Sequence, residues 1–392
     1  MRANLHWVLL SARVITIHLI TILIITECSL ISLVLLTVSV SFISLFAFRK
    51  LALIHDFVDR PSCRKKHTGN VPVIGGLSLF VTIAMASMFE GQLLPNQQDF
   101  LACGLILTII GTIDDKLDIS ASFRLCVIIA ISFWLTISEG IALTQLGNLF
   151  GFGVLNVGSA DVLLTTFAII GCITAFNMVD GIDGLLGSLA SVTFAALAFM
   201  FYYVGDIELT IFCFIFVLAM LPYILCNLEL IPKRSFKVFM GDSGSFLIGF
   251  TIVWLLIHSS QSITDEVQTA LMKPVTALWV IAVPLMDMAM VMIRRMRKKQ
   301  SPFKADRLHL HHICMRLGLS SRQTLAFITF WAMLFATLGI LGQVLEVHEH
   351  IMLMLFLFVF TCYVFIISYI WRITCWLRKL FRIGKTHVKV NS

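Results

Sequence analysis

Charge is what this chain has least of: Asp, Glu, Lys and Arg make up 13% of its 392 residues, about half the share of an ordinary soluble domain. With 59% hydrophobic residues, 32 Phe and 7 Trp, that scarcity excludes a water-soluble globular protein. Cysteine pairing is lacking too. The ten cysteines stand singly, most of them inside apolar runs, with no CxxC and no Cys/His spacing suited to zinc. They read as small, reduced packing residues. No internal repeat is visible, which removes the paired-repeat architecture common among secondary transporters. Lys and Arg are almost absent from one half of the loops. The net charge of +7 therefore reports membrane orientation, and no nucleic-acid partner is expected.

What is present is apolar length. A spanning helix needs about 20 mostly apolar residues, and eleven stretches qualify or come near: 29–48, 71–89, 100–113, 122–138, 162–176, 185–204, 207–226, 245–258, 275–293, 324–341 and 350–371. The expected fold is an all-α polytopic membrane protein with about eleven transmembrane helices. A twelfth candidate, 8–26, carries Arg13 and His18. Thr26-Glu27-Cys28 offers no small-residue cleavage pattern, so residues 1–28 read as an uncleaved hydrophobic extension or as the product of a mis-chosen start codon. The main domain is expected over 29–375, with a basic tail over 376–392 that either lies on anionic lipid or simply marks topology.

Orientation follows from the cations. Loops 48–71, 114–120, 177–184, 227–244 and 294–323 and the tail from Arg372 hold nearly all the loop Lys and Arg, whereas 90–99, 139–161, 205–206, 259–274 and 342–349 contain only Lys273. The positive-inside rule puts the first set in the cytoplasm. Every unusual polar cluster belongs to that set, so the active site is expected at the cytoplasmic face.

Four clusters carry the chemistry. Asp114 and Asp115 close the apolar run 100–113. Adjacent carboxylates repel unless a cation or proton is shared, and a divalent metal with a phosphate suits them. The alternative is an acidic loop at a helix end, where acid opposes the macrodipole. In Asn177-Met-Val-Asp180-Gly-Ile-Asp183-Gly, the two aspartates share a face if the segment is helical, with Asn177 one turn earlier and glycines admitting a ligand close to the backbone. The plainer reading makes Asp183 an N-cap, which leaves Asp180 unexplained. Asp242 lies between glycines just before a helix expected near Ser245, a setting that fits either metal–phosphate binding or simple capping. Finally, a basic run from Arg294 leads into Asp306-Arg307-Leu-His309-Leu-His311-His312. Three histidines can bind zinc, but the cations beside them favour anionic substrate.

The segments IGTIDDKLDIS, AFNMVDGIDGLLG, VFMGDSGSFLIGF, PLMDM and SPFKADRLHLHH, in this order, resemble the polyprenyl-phosphate N-acetylhexosamine-1-phosphate transferases. That superfamily includes the MraY enzymes and the eukaryotic dolichyl-phosphate GlcNAc-1-phosphate transferases. The resemblance runs from about residue 30 to about 375 and implies transfer of GlcNAc-1-phosphate from UDP-GlcNAc to undecaprenyl phosphate, with Mg²⁺ or Mn²⁺. The implied setting is a Gram-negative inner membrane, and the product would start O-antigen or enterobacterial common antigen. It implies catalytic roles for Asp114, Asp115, Asp180 and Asp183, with Asp180 favoured for chemistry and Asp183 for support. Asp242 and Asn177 correspond to metal ligands, and Lys66, Arg307, His309, His311 and His312 to substrate-binding positions. The histidine segment departs from the MraY pattern, which argues against a muramoyl-pentapeptide substrate. Two rivals stand beside this reading: a cation-coupled transporter, which would place its acids near the bilayer midplane, and a scaffold, which needs no aligned acids. A second UDP-N-acetylhexosamine is also allowed for, and the oligomeric state is open between a monomer and a homodimer.

Overall fold

A computed structural model describes residues 30–61, 69–230, 236–261, 270–301 and 309–380, with the side chains of 371 and 373–380 excepted. The N-terminal extension, Lys66, Arg307 and the last twelve residues lie outside the described residues. Helices dominate, because backbone polar groups in lipid must be satisfied within their own segment. Their order is α1 (Leu30–Ile54), α2 (Gly75–Glu90), α3 (Gln97–Leu117), α4 (Ala121–Ser138), α5 (Asp161–Val179), α6 (Leu185–Tyr203), α7 (Ile207–Asn227), α8 (Gly241–Gln261), α9 (Pro274–Val280), α10 (Ala282–Arg297), α11 (Leu310–Arg316), α12 (Ser321–Val344) and α13 (Glu349–Leu380). Two-residue strands β1 (Val58–Asp59) and β2 (Val71–Pro72) pair antiparallel before α2.

Among the described residues, eight helices are long and apolar enough to cross a membrane, nine when α9 and α10 count as one span. Each of the eleven apolar stretches overlaps a helix or that bent pair, but 71–89 opens on β2 and becomes helical only at Gly75. The helix α8 forms the axis, buried over 94% of its spanning window against 17% for α13. Small residues let its neighbours close in. A Cβ on Gly76 of α2 would lie 2.2 Å from Gly244 N, and one on Gly111 of α3 would lie 2.3 Å from Ser243 Cα. These approaches bring the cytoplasm-assigned ends of α2, α3 and α8 to one point.

Two expectations about helix limits change. The single span 275–293 is broken at Ile281, where the axis bends by 82°. Pro284 has no N–H to offer Val280, so the α-helical ladder cannot run through, and the Thr193 hydroxyl approaches the freed Val280 carbonyl at 3.5 Å. The helix α3 continues past Ile113 to Leu117, so Asp114 and Asp115 sit in its last turn and not in a loop.

Candidate active site

The last turn of α3 gives its two carboxylates different work. Asp114 is buried, 4% exposed, and its two oxygens accept from Arg124 Nη1 at 2.7 Å and from Ile119 N at 3.0 Å. Asp115 points the other way, accepting from Asp242 N at 2.9 Å and Ser243 N at 3.4 Å. Those are the first free N–H groups of α8, so Asp115 caps a helix from outside it. The helix α8 starts at Gly241, four residues before the expected start, which places Asp242 in its first turn. Gly241 adopts φ +74, and a Cβ there would stand 2.4 Å from Asp115 Oδ2.

Asp242 is the hub. Asn177 Nδ2 donates to its Oδ1 at 2.6 Å and to Ser245 Oγ at 2.9 Å. Arg124 Nη1, from the first turn of α4, lies 3.7 Å from Asp242 Oδ2 while holding Asp114. One guanidinium thus stands between two carboxylates that would otherwise repel.

The segment after Asn177 is not helical. The helix α5 stops at Val179, and α6 starts at Leu185 behind Gly184, whose φ of +77 makes it the N-cap without any side-chain bond. Helical spacing therefore does not align Asp180 with Asp183, and Asp183 is not a cap. Asp183 Oδ2 instead binds Lys237 Nζ at 2.6 Å. Asn227 fixes the same turn by accepting from Gly184 N at 2.5 Å and donating to Val238 O at 2.8 Å. Asp180 is an exposed residue, although protein surrounds its carboxyl on the other sides, and its side chain makes no hydrogen bond among the described residues. Protein crowding around its carboxyl, then the like charges of Asp242 and Asp183, push it up to about 7.

That rise makes Asp180 a stability cost above its pKa. Below about pH 4 both folded and unfolded chains hold the proton. Between about 4 and 7 only the folded chain does, and above 7 the fold carries the full cost of the charge. Solvent at the exposed edge screens this to about 1 kcal/mol. Asp180→Asn should therefore raise the thermal midpoint by about 1–2 °C at pH 8 in metal-free buffer, with no gain at pH 4. A scan of midpoint against pH for both proteins checks it.

The histidines arrive on α11. Asp287, a buried acid of α10, accepts from His309 Nδ1 at 2.9 Å, from Leu310 N at 2.9 Å and from Tyr363 OH at 2.9 Å. A carboxylate only accepts, so Nδ1 carries the hydrogen and Nε2 is left for other use. His311 is buried, with Nε2 unpaired. Burial, then His312, depress it to about 3, so it is neutral at physiological pH. The ring lies on Gly181, where a Cβ would be 2.2 Å from Nε2, and it contacts His312 at 4.2 Å between centroids. The histidine and NMVDG segments therefore meet. Gly181 lies outside the left-handed region, so Gly181→Ala acts only by displacing His311. Activity should fall on the order of tenfold, and adding His311→Ala should cost little more than either change alone.

Asp114, Asp115, Asn177, Asp180, Asp242 and His311 thus belong to one end of the bundle, with His309 and His312 beside them and Asp183 on its flank. Arg124, Lys237, Asn227 and Asp287 had no role assigned from sequence. Arg124 and Asp287 left a signal, since each is the only charged residue of an apolar run, 119–138 and 274–293 respectively. Lys237 and Asn227 left none.

Among the described residues no three His, Cys, Asp or Glu are arranged to hold a metal by themselves. The donor set nevertheless fits Mg²⁺, which takes hard oxygen ligands and often uses one or two protein oxygens plus substrate phosphates. Asp242 and Asn177 could offer two, the latter by turning to the ion the amide oxygen opposite the Nδ2 that bonds Asp242.

Residues 98–260 match the family described as glycosyl transferase family 4. The undecaprenyl-phosphate alpha-N-acetylglucosaminyl 1-phosphate transferase of Escherichia coli K12 is 42% identical over 357 residues, covering 89% of this chain and 96% of that protein. The chain belongs to glycosyl transferase family 4. Two further members carry the same name. The Haemophilus influenzae protein is 42% identical over 345 residues, 88% of this chain and 96% of its own, and that of Yersinia pestis is 42% identical over 339 residues, 86% and 91%. The family match covers the last turn of α3, the end of α5 and the break after it, the end of α7 and the start of α8, and so takes in Asp114, Asp115, Asn177, Asp180, Asp183, Asn227 and Asp242. Asp287 lies beyond it.

Proposed function

We propose that this chain transfers GlcNAc-1-phosphate from UDP-GlcNAc to undecaprenyl phosphate, releasing UMP, at the cytoplasmic face of a Gram-negative inner membrane. The observation that carries this reading is the meeting of Asp242, Asn177, Asp180 and His311 at the end of the bundle assigned to the cytoplasm by its loop cations, in a chain 42% identical to enzymes named for that reaction. The product would enter O-antigen or enterobacterial common antigen assembly.

An oxygen of the lipid phosphate attacks the β-phosphorus of UDP-GlcNAc. A new P–O–P link forms, the bond from the β-phosphorus to the α–β bridging oxygen breaks, and UMP carries away that oxygen. Near neutral pH the lipid phosphate is already largely ionised, so the step needs little base. Asp114 and Asp115 fit that economy: their oxygens are engaged by Arg124 and Ile119 N, or by the N-terminus of α8, and their contribution is electrostatic and positional. Asp242 and Asn177 would hold Mg²⁺ or Mn²⁺, which when bound supplies positive charge to the diphosphate. Arg124 lies within reach of the same charge. Asp180, whose oxygens accept no hydrogen bond from the described residues, is the group of this set able to meet a substrate or a metal water. Asp183 acts through Lys237, holding the turn that carries Asp180. His309 and His311 present ring nitrogens to the nucleotide sugar, that of His311 neutral.

Purified protein should form UMP only when both UDP-GlcNAc and undecaprenyl phosphate are present, and UDP-GalNAc should support a slower rate. No UMP with both substrates would overturn the proposal. UMP exchange into UDP-GlcNAc in lipid-depleted enzyme would instead establish a two-step route through a covalent aspartyl phosphate.

A further inference from the structure

At the end of the bundle opposite the carboxylates, residues 144–157 turn back on themselves between α4 and α5. Leu146 N donates to Leu155 O at 2.9 Å, Leu155 N to Gly147 O at 2.8 Å and Val157 N to Thr144 O at 2.9 Å. Two helices hold the base of this hairpin. Gln261 Oε1, ending α8, accepts from Thr144 N and Gln145 N at 3.0 Å each. Glu349 Oε1, opening α13, accepts from Asn148 N at 3.1 Å. Gly147 is forced at that joint, with φ +68 and no space for a Cβ, which would lie 2.0 Å from Glu349 Oε2.

A mount this well bonded holds out apolar side chains instead of covering them. Phe152 is 98% exposed, Phe150 62% and Val154 56%, and residues 140–160 contain no Asp, Glu, Lys or Arg. The tip stands at the rim of the bundle and not over its axis. Gly151 lies beside His350, where a Cβ would be 3.6 Å from Nδ1, and the next turns of α13 expose Ile351, Met354 and Phe358 in the manner of a lipid-facing helix. The apolar tip is thus continuous with the most lipid-exposed span.

We propose that the hairpin tip 150–154 is a membrane anchor, seating its two Phe side chains at the boundary between headgroups and acyl chains of the leaflet opposite the active site. An uncharged tip loses no ion solvation on entering that boundary, and Phe side chains gain by burying their apolar surface there. Its irregular backbone would be excluded from the hydrocarbon core but not from the interface. A protein partner fits less well, because stable interfaces bury about 1,000 Å² or more and three side chains on a narrow turn present far less.

Phe152 is the probe, since its side chain is almost wholly exposed and its loss leaves the hairpin bonds intact. The full chain carrying p-benzoylphenylalanine in place of Phe152, irradiated in native membranes, should give phospholipid adducts on the peptide containing residue 152. A cross-link to a second copy or to another protein, or no adduct at all, would overturn the proposal. As a second readout, Phe152→Trp in vesicles of phosphatidylethanolamine and phosphatidylglycerol should add fluorescence that shallowly brominated lipids quench. Added fluorescence that these lipids leave unquenched would also overturn it.

Discussion

Asp242→Asn is expected to reduce transfer on the order of 10³-fold while the membrane bundle stays folded. The change keeps the shape of the side chain and leaves its backbone N–H bonded to Asp115, so the start of α8 is retained. What disappears is the negative charge on which Asn177 and Arg124 converge. Arg124 still has Asp114, 2.7 Å away, so no cation is stranded. Metal-dependent activity should vanish and the thermal midpoint should hold or rise, because the variant removes one of several mutually repelling carboxylates. Measuring the rate across a Mg²⁺ series alongside the unfolding midpoint separates the two effects. Activity within tenfold of wild type would remove Asp242 from the metal site.

Asp287→Asn is the second large effect, and it acts at a distance. The carboxylate of Asp287 accepts three hydrogen bonds, from His309, Leu310 and Tyr363. An amide in its place has one acceptor oxygen and puts an N–H against a donor. With the amide oxygen in the place of Oδ1, the bonds from Leu310 N and Tyr363 OH persist, and His309 Nδ1 loses its acceptor and its fixed orientation. Groups that orient a working side chain typically contribute 10- to 100-fold, so kcat/KM for UDP-GlcNAc should fall by about 10²-fold, chiefly through KM. Tyr363→Phe removes one donor and keeps the carboxylate, and should cost no more than about tenfold. A loss confined to kcat in Asp287→Asn would mean that His309 does not serve substrate binding.

The helices were legible because each reports itself through local apolar length. Tertiary partnerships were not. The apolar run 274–293 is continuous in composition, and only the missing N–H of Pro284 marks the bend at Ile281. Asp114 and Asp115 look equivalent side by side, yet one meets a guanidinium and the other caps α8, 127 residues away in sequence. The Asp180–Asp183 pair read as a helical face because its spacing is three, whereas the glycines at 181 and 184 end the helix. Asp183 pairs with Lys237, a partner 54 residues away that no local pattern could indicate. The clustering of the site's acids was anticipated. Asn177 was anticipated with them and Arg124 stood out as the lone charge of an apolar run, but Lys237 and Asn227 were not, because a lone Lys or Asn has no periodicity or motif to announce it.

The most direct measurement uses purified protein, undecaprenyl phosphate and UDP-GlcNAc labelled with ³H in the sugar and ³²P in the β-phosphate. With Mg²⁺ both labels should enter the chloroform-soluble fraction in equal molar amounts, matched by UMP in the aqueous phase, and EDTA should abolish all three signals. Lipid carrying ³H without ³²P, or transfer that persists in EDTA, would contradict attack at the β-phosphorus in a metal-bearing site built on Asp242.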